Sequence, residues 1–276
     1  MRRQFVKTVM DVLEKDERVV LLLGDIGVHG FREAFDRFPK RVYNIGILEQ
    51  ASVSLAAGLA LDGMIPVFHT IAPFMVERAF EQLKIGFGYQ QLGGNFISVG
   101  ASYDYASLGC THHCPGDVAI LKTIPGTRIL VPGHSVEFDA LFREHYTDNG
   151  GPMYYRLSER SNVKPNPCSR ESDLFSYGTR GTVLAVGPML DVTREACKDL
   201  RGVQVRYCTT VSPFRAFGVD VIVMPFYEGS LHEFNGLSIG VPRRFLRNYG
   251  TPAEHDAACG LTALAIRERV KGYLKI

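Results

Sequence analysis

A run of five apolar residues, Val19–Leu23, sets the first constraint on how this chain folds. Charged residues precede it and a Gly-Asp pair follows it, which is typical of a short strand buried on both faces. Similar short segments recur at 65–70, 95–99 and 182–186, and segments with helical spacing separate them. Strands that alternate with helices predict an α/β fold of mainly parallel sheets flanked by helices.

The segment 158–177 divides this pattern into two parts. It is rich in polar residues and proline and has little periodicity, so it predicts a linker between two domains. The first domain is expected at 1–157 and a second, smaller α/β domain at 178–276. We expect helices at 74–87 in the first domain and at 253–274 at the end of the second.

Composition excludes several classes of function. The chain has 276 residues, of which 46% are hydrophobic and 22% charged, as in ordinary globular proteins. A net charge of +2 gives no basis for binding nucleic acid or an anionic membrane. No apolar run reaches the roughly 18 residues that span a bilayer. Residues 1–16 predict an amphipathic helix without a signal-peptide core, and the six cysteines are scattered, so we expect reduced thiols in a cytoplasmic protein.

The segment 44–60 predicts a turn that leads into a helix apolar on nearly every face, and such a helix is normally buried. Glu49 lies in its first turn. A carboxylate that enters a buried helix needs a partner, because an unpaired buried charge is unfavourable. Taken alone, Glu49 is explained by the positive end of the helix dipole.

Three segments carry a resemblance to a known family. They are Asn44-Ile-Gly-Ile-Leu-Glu49-Gln50, then Thr70-Ile-Ala-Pro-Phe74 with Arg78-Ala-Phe-Glu-Gln82, and finally Gly109-Cys-Thr-His112-His113. Their order and spacing resemble the transketolase family of thiamine-diphosphate enzymes. The match is to the C-terminal half, which some organisms encode as a separate subunit.

The resemblance implies a pyrimidine-binding domain at 1–157 and a reduced transketolase C-terminal domain at 178–276. The other half of such an enzyme holds the cofactor's diphosphate through Mg²⁺ bound by a Gly-Asp-Gly motif and an Asn. Here Gly24-Asp25-Ile26 is the nearest match, and its third residue differs. We therefore expect a separate diphosphate-binding subunit that holds the Mg²⁺ and shares the thiamine diphosphate, in a heterotetramer of two chains of each kind.

The resemblance also implies roles for individual residues. Glu49 would bind the cofactor's ring nitrogen N1′ and activate its aminopyrimidine. Phe74 would stack on that ring, Ile71 would form an apolar wall beside it, and Asp25 matches an acidic position of pyrimidine domains. His112 would contact the substrate or transfer a proton. The alternatives are a core aromatic at Phe74 and a solvated loop histidine at His112.

The substrate positions depart from the family pattern. Ser107-Leu108 and Gly100 stand where sugar-phosphate transketolases carry an acidic pair and a histidine that contact the sugar. Arg3, His29 and Arg160 lie near family positions for phosphate contacts, although surface arginines are usually solvated. Because the apolar Leu108 cannot accept a hydrogen bond from a sugar hydroxyl, this loop does not predict recognition of a standard ketose.

Cys110-Thr-His-His-Cys114 also suggests a zinc site, but its spacing is tighter than that of zinc fingers, and no metal site is expected in this chain. Three functions remain open. The first is a split transketolase that transfers a two-carbon ketol unit. The second is the β-like subunit of a 2-oxo-acid-using enzyme, either a dehydrogenase E1 component or a deoxyxylulose-phosphate-synthase-like carboligase. The third is a non-catalytic scaffold subunit.

Overall fold

The computed structural model describes residues 1–166, 173–174, 179–215 and 217–276. Residues 167–172 and 175–177 of the predicted linker, and residues 178 and 216 of the predicted second domain, therefore lie outside the described residues. The strands are β1 (Val19–Leu23), β2 (Val42–Asn44), β3 (Ile65–Ile71), β4 (Gly94–Val99), β5 (Arg128–Leu130), β6 (Pro152–Arg156), β7 (Asp173–Leu174), β8 (Gly181–Val186), β9 (Val203–Cys208), β10 (Thr210–Ser212), β11 (Val221–Tyr227) and β12 (Leu237–Val241). The α-helices are α1 (Arg2–Lys15), α2 (Arg32–Arg37), α3 (Glu49–Leu61), α4 (Phe80–Gln82), α5 (Asp117–Leu121), α6 (Ser135–His145), α7 (Leu190–Cys197), α8 (Pro252–Cys259) and α9 (Ala263–Leu274).

Two sheets organise the chain. The larger has seven strands in the order β10-β5-β6-β4-β3-β1-β2, and all its pairs are parallel except β10 with β5. The smaller has five strands in the order β12-β11-β8-β9-β7, and only β7 runs antiparallel to its neighbour. The predicted α/β fold with two mainly parallel sheets is confirmed.

We call the residues that form the large and the small sheet, with their flanking helices, the large and the small domain; the bounds 1–157, 158–177 and 178–276 stay a prediction. The two parts are joined by more than the connecting segment. Strand β10 follows β9 of the small sheet but adds to the edge of the large sheet. One apolar core also runs across the boundary, since Phe96 of the large sheet shares a cluster with Leu184 and Met224 of the small sheet. The two domains therefore bury apolar surface against each other, which fixes how they meet.

Two predicted helices differ in detail. The helix expected at 74–87 is present, but π-helical turns at Phe74–Arg78 and Leu83–Tyr89 flank α4, with a break at Ala79. The single closing helix predicted at 253–274 is wrong. Gly260 adopts the left-handed conformation and ends α8, and the Thr262 side chain caps α9.

Candidate active site

Loops from four neighbouring strands meet at the carboxyl edge of the large sheet. Asp25 follows β1, Glu49 begins the helix after β2, Phe74 follows β3, and Gly100 follows β4. Ligands of open parallel sheets bind at this edge, where successive loops converge. Of the four predicted cofactor-binding residues, Asp25 lies in a loop, Glu49 and Phe74 begin the helical segments at this edge, and Ile71 ends β3.

Glu49 is the first residue of α3 and its side chain is 1% exposed. Arg78 Nη1 donates to Glu49 Oε2 at 2.7 Å, whereas Thr70 Oγ1 reaches Oε1 only at 3.5 Å. A buried carboxylate is thus held in a fixed orientation by a charge-assisted hydrogen bond. The helix dipole is consistent with this charge but does not explain the specific partner.

Arg78 is the residue that the sequence did not assign to the site. Its guanidinium carbon lies 4.1 Å from the centroid of the Phe74 ring, a cation–π distance, while Nη1 bonds Glu49. Phe74 and Arg78 are four residues apart in one helical segment, and that spacing places side chains on one face. The spacing was the available signal, and the partner Glu49 was not deducible from it.

His112 lies on the long loop after β4 and reaches the same place. Its ring centroid is 5.4 Å from that of Phe74 in an edge-to-face arrangement, and 6.2 Å from that of Tyr105. The Thr111 hydroxyl lies 3.0 Å from His112 Nδ1. When that hydroxyl donates, the proton of the neutral imidazole is on Nε2, so Nε2 is the donor available to a ligand.

Ile71 lies beside Gly100, at the start of the loop that carries His112. Gly100 has a φ of +74°, and a Cβ at this position would lie 3.2 Å from Ile71 Cγ2 and 2.4 Å from Tyr105 Cε2. Only glycine fits here, because both the conformation and the space exclude a side chain. Burial raises the pKa of Tyr105, which keeps its hydroxyl protonated. Glycine at 100 thus leaves room beside the backbone for the Tyr105 ring and for the Ile71 side chain.

Asp25 is exposed and adopts a left-handed conformation with φ of +58°. Its backbone N donates to Asn44 Oδ1 at 3.1 Å, and Asn44 Nδ2 donates to Asp25 Oδ1 at 3.1 Å. These two bonds tie the end of β1 to the end of β2. Asp25 therefore lies at the same edge of the large sheet as Glu49, but it is hydrogen-bonded to Asn44.

The three predicted phosphate contacts are in different places. Arg3 lines a cavity of about 450 Å³ together with Gly100 and Tyr105. The Arg160 guanidinium instead bonds Asp256 of the small domain, in an adjacent cavity of about 440 Å³. His29 is exposed, with Nδ1 3.5 Å from Arg32 Nη2. Arg3 and Arg160 each line a cavity with residues of the loop after β4, but the guanidinium of Arg160 is already paired with Asp256.

The cysteines near His112 do not form a metal site in the part of the chain that the structure describes. Cys110 is exposed, whereas Cys114 is buried with its thiol 3.6 Å from Glu77 Oε1. Burial raises the pKa of Cys114, so the protonated thiol is favoured over the thiolate that binds metals. No cluster of three His, Cys, Asp or Glu side chains suited to a metal ion occurs among the described residues.

Comparison with known proteins agrees with this architecture. Residues 1–164 match the family "Transketolase, pyrimidine binding domain". The chain is 38% identical to the "Uncharacterized 33.6 kDa protein in fasciation locus" of Rhodococcoides fascians, over 98% of this chain and 93% of that protein. It is 28% identical to the 6-deoxy-6-sulfo-D-fructose transketolase subunit SqwH of Clostridium sp. strain MSTE9, over 78% and 69% of the two chains.

A solved structure shows the same fold over nearly the whole chain. It is described as "Split gene transketolase, inactive beta4 tetramer", and it superposes with a TM-score of 0.83 at 24% identity, covering 99% of this chain and 97% of that one. None of the helices within the described ranges is both long enough and apolar enough to cross a bilayer. The chain therefore belongs to the transketolase pyrimidine-binding-domain family of thiamine-diphosphate enzymes and corresponds to the C-terminal half of a split transketolase.

Proposed function

We propose that this chain is the carboxylate-bearing subunit of a two-subunit transketolase that transfers a two-carbon ketol unit from a ketose-like donor to an aldehyde acceptor. The observation that carries the proposal is Glu49, a carboxylate 1% exposed at the start of a helix and oriented by Arg78 beside an aromatic ring. A purely structural carboxylate needs no adjacent aromatic wall at the edge of the sheet where ligands bind. Relatives named as transketolase subunits support the same reaction class.

The residues at this edge fit the aminopyrimidine of thiamine diphosphate. Arg78 occupies Glu49 Oε2, while the 3.5 Å separation from Thr70 leaves Oε1 with acceptor capacity for a ring nitrogen. Phe74 and Ile71 supply apolar walls. The Arg78 guanidinium covers one face of the Phe74 ring, so the opposite face is the one on which a pyrimidine would stack.

Two tasks are assigned to this chain: its side chains share or donate protons at the cofactor and at the donor substrate, and they position both molecules. When bound, the cofactor supplies a C2 carbanion, which is the nucleophile. Glu49 shares a proton with the pyrimidine nitrogen N1′, and the water-excluded position strengthens that hydrogen bond. His112 presents its Nε2 proton to the carbonyl oxygen of the donor, at the edge of the Phe74 ring.

Substrate phosphate is assigned to the cavity that holds Arg3. This cavity also contains Gly100 and Tyr105 from the loop after β4, so it adjoins the loop that carries His112. Leu108, at 49% exposed, is an apolar residue where the family places a sugar-binding carboxylate. We therefore propose a phosphorylated donor with fewer free hydroxyl groups near Leu108 than a standard ketose.

The partner subunit is proposed to hold the diphosphate and Mg²⁺, in a complex of two chains of each kind. Helix α3 carries exposed Leu55 and Leu61, the helical segment beside it carries exposed Ile85 and Tyr89, and Leu61 and Ile85 line the same groove. Contiguous exposed apolar residues of this kind mark protein interfaces. The groove between the two elements is lined by small residues, which allow close approach of another helix: Ser54, Ala57, Gly58 and Gly86.

Reconstitution tests the proposal. The chain is mixed with its native partner subunit, thiamine diphosphate and Mg²⁺, and is supplied with a phosphorylated ketose and an aldehyde. We expect two-carbon transfer by the mixture, no transfer by either subunit alone, and no tight cofactor binding by this chain alone. Tight binding of thiamine diphosphate by the isolated chain would overturn the shared-site arrangement.

The 2-oxo-acid alternative retains one observation in its favour, the apolar Leu108 at a sugar-contacting position. The same mixture supplied with pyruvate separates the two functions. Rapid release of CO₂ without ketol transfer would favour the β-like subunit of a 2-oxo-acid enzyme. No turnover of either substrate class, with the cofactor bound, would favour a scaffold subunit.

A further inference from the structure

The loop that carries His112 is anchored to the small domain as well as to its own. Backbone N of Tyr227 donates to Pro115 O at 2.8 Å, and the Ser102 hydroxyl donates to the carbonyl of Pro225. Both partners lie in β11, an interior strand of the small sheet that pairs with β12 and β8. The small domain thus fixes both ends of the loop.

Tyr249 makes a contact in the middle of the same loop. A Cβ placed on Gly109 would lie 2.6 Å from Tyr249 Cε1, so the tyrosine ring packs directly on the glycine backbone. Gly109 has a φ of +74°, and its carbonyl accepts the backbone N–H of His112 at 3.0 Å. Tyr249 therefore packs against the residue that begins the turn presenting His112.

This contact contributes little to the core of the small domain. Tyr249 is 72% exposed, whereas its neighbour Leu246 is 6% exposed and packs in the small-domain core. Leu246 anchors the segment between β12 and α8, and the Thr251 capping box fixes the segment where α8 begins. The Tyr249 ring is thus carried by a fixed segment, and removing it leaves the core packing in place.

We infer that Tyr249 is a positioning residue for His112, and that the small domain orients the substrate loop through it. The inference rests on the proposed role of His112 at the donor carbonyl. Tyr249 is assigned no contact with cofactor or substrate. It restricts Gly109, and Gly109 sets the turn from which the His112 ring reaches Phe74.

Variants of Tyr249 distinguish a role in positioning His112 from a role in folding of the small domain. Tyr249→Ala removes the contact, and Tyr249→Phe keeps it, because the contacting atoms are the ring carbons Cε1 and Cδ1. Phe245→Ala is the matched control, since Phe245 lies on the same segment and is also 72% exposed. All three variants leave Leu246 and the other core residues of the small domain unchanged.

Hydrogen exchange on the full chain measures the loop without requiring activity. Tyr249→Ala is expected to speed exchange of the His112 and His113 amides about ten-fold, while Tyr249→Phe restores the slow exchange and Phe245→Ala leaves it unchanged. Unchanged exchange in Tyr249→Ala, or an equal increase in Phe245→Ala, would overturn the inference.

Steady-state kinetics of the complex with the partner subunit provide the functional readout. Tyr249→Ala is expected to lower kcat/KM for the donor about ten-fold, with rescue by Tyr249→Phe, because a mobile loop presents His112 less often. Faster exchange with unchanged kinetics would also overturn the inference. An inactive wild-type complex would refute the proposed function instead, and exchange would still decide whether Tyr249 holds the loop.

Discussion

Replacement of Arg78 by methionine tests the ion pair on which the geometry of Glu49 depends. Arg78→Met keeps a long unbranched side chain but removes the 2.7 Å hydrogen bond to Glu49 Oε2 and the cation over Phe74. Breaking a fully buried ion pair destabilises a protein by about 3–5 kcal/mol. Here the carboxylate is 1% exposed but the arginine side chain is 37% exposed, so water solvates part of the cation.

The expected loss in the free energy of unfolding is therefore about 2 kcal/mol, between the values for buried and surface pairs. Urea unfolding of the full chain measures it. A double-mutant cycle with Glu49→Gln isolates the interaction, and we expect a coupling of about 1–2 kcal/mol. A matched control is Arg37→Met, because Arg37 is also 37% exposed but pairs with the exposed carboxylates of Glu14 and Glu33.

The result distinguishes a Glu49 carboxylate that is held in place by Arg78 from one that is buried without a specific partner. If Arg78→Met unfolds at the same urea concentration as the wild type, or no differently from Arg37→Met, Arg78 does not hold Glu49. Arg78→Lys adds a geometric test, since a lysine keeps the charge but lacks the planar group that contacts Glu49 and Phe74 together. We expect Arg78→Lys to recover part of the stability and little of the activity.

Three further predictions concern stability and substrate. Asp117→Asn leaves the fully buried Arg156 without its ionic partner and should lower the free energy of urea unfolding by about 3–5 kcal/mol; a change below about 1 kcal/mol would contradict this. Burial lowers the pKa of the His69 imidazole to about 4 in the folded chain. Between pH 6.5 and pH 4 the unfolded chain therefore binds a proton at this residue more readily than the folded chain does. The free energy of unfolding should fall by about 3 kcal/mol as the pH falls over that range. His69→Gln should abolish that part of the pH dependence in unfolding titrations. Arg3→Ala should raise KM for a phosphorylated donor about 10- to 100-fold and leave KM for an unphosphorylated donor unchanged; equal effects on both would refute the phosphate assignment.

The features of the fold that the sequence predicts correctly are those set by the pattern of apolar residues over short stretches of chain. The buried run at Val19–Leu23 forms a strand with all five residues buried, and Glu49 begins a helix after a turn. These features depend on residues close in sequence, whose apolar periodicity determines which faces are buried. The alternation of strands and helices then predicts the mainly parallel sheets.

Other features depend on contacts between distant residues. Strand β10 leaves the small domain to pair with β5, and nothing in its three residues indicates that partner. Arg78 shares a helical segment with Phe74, but its bond to Glu49 joins residues 29 positions apart. The contact of Tyr249 with Gly109 likewise depends on how the two domains pack, and a single sequence gives no signal for it.

The placement of Arg160 shows the same limit within the site. An arginine shortly after β6 of the large sheet is consistent with a phosphate contact, as the resemblance to the family implies. In the structure its guanidinium bonds Asp256 and lies 3.1 Å from Met189 Sδ, so it joins the two domains. The charge was visible in the sequence, but the competing carboxylate nearly a hundred residues later was not identifiable as its partner.

The role proposed for Glu49 is tested by exchange of the C2 proton of thiamine diphosphate in the complex of this chain with the proposed partner subunit. Deuterium exchange is followed by NMR after acid quench, in the wild type and in Glu49→Gln, which keeps the shape of the side chain but removes its ionisable proton. We expect exchange in Glu49→Gln to be slower by about 10²- to 10⁴-fold, the usual contribution of a positioned acid or base. Exchange at the wild-type rate, with the cofactor bound equally well, would show that Glu49 does not activate the cofactor.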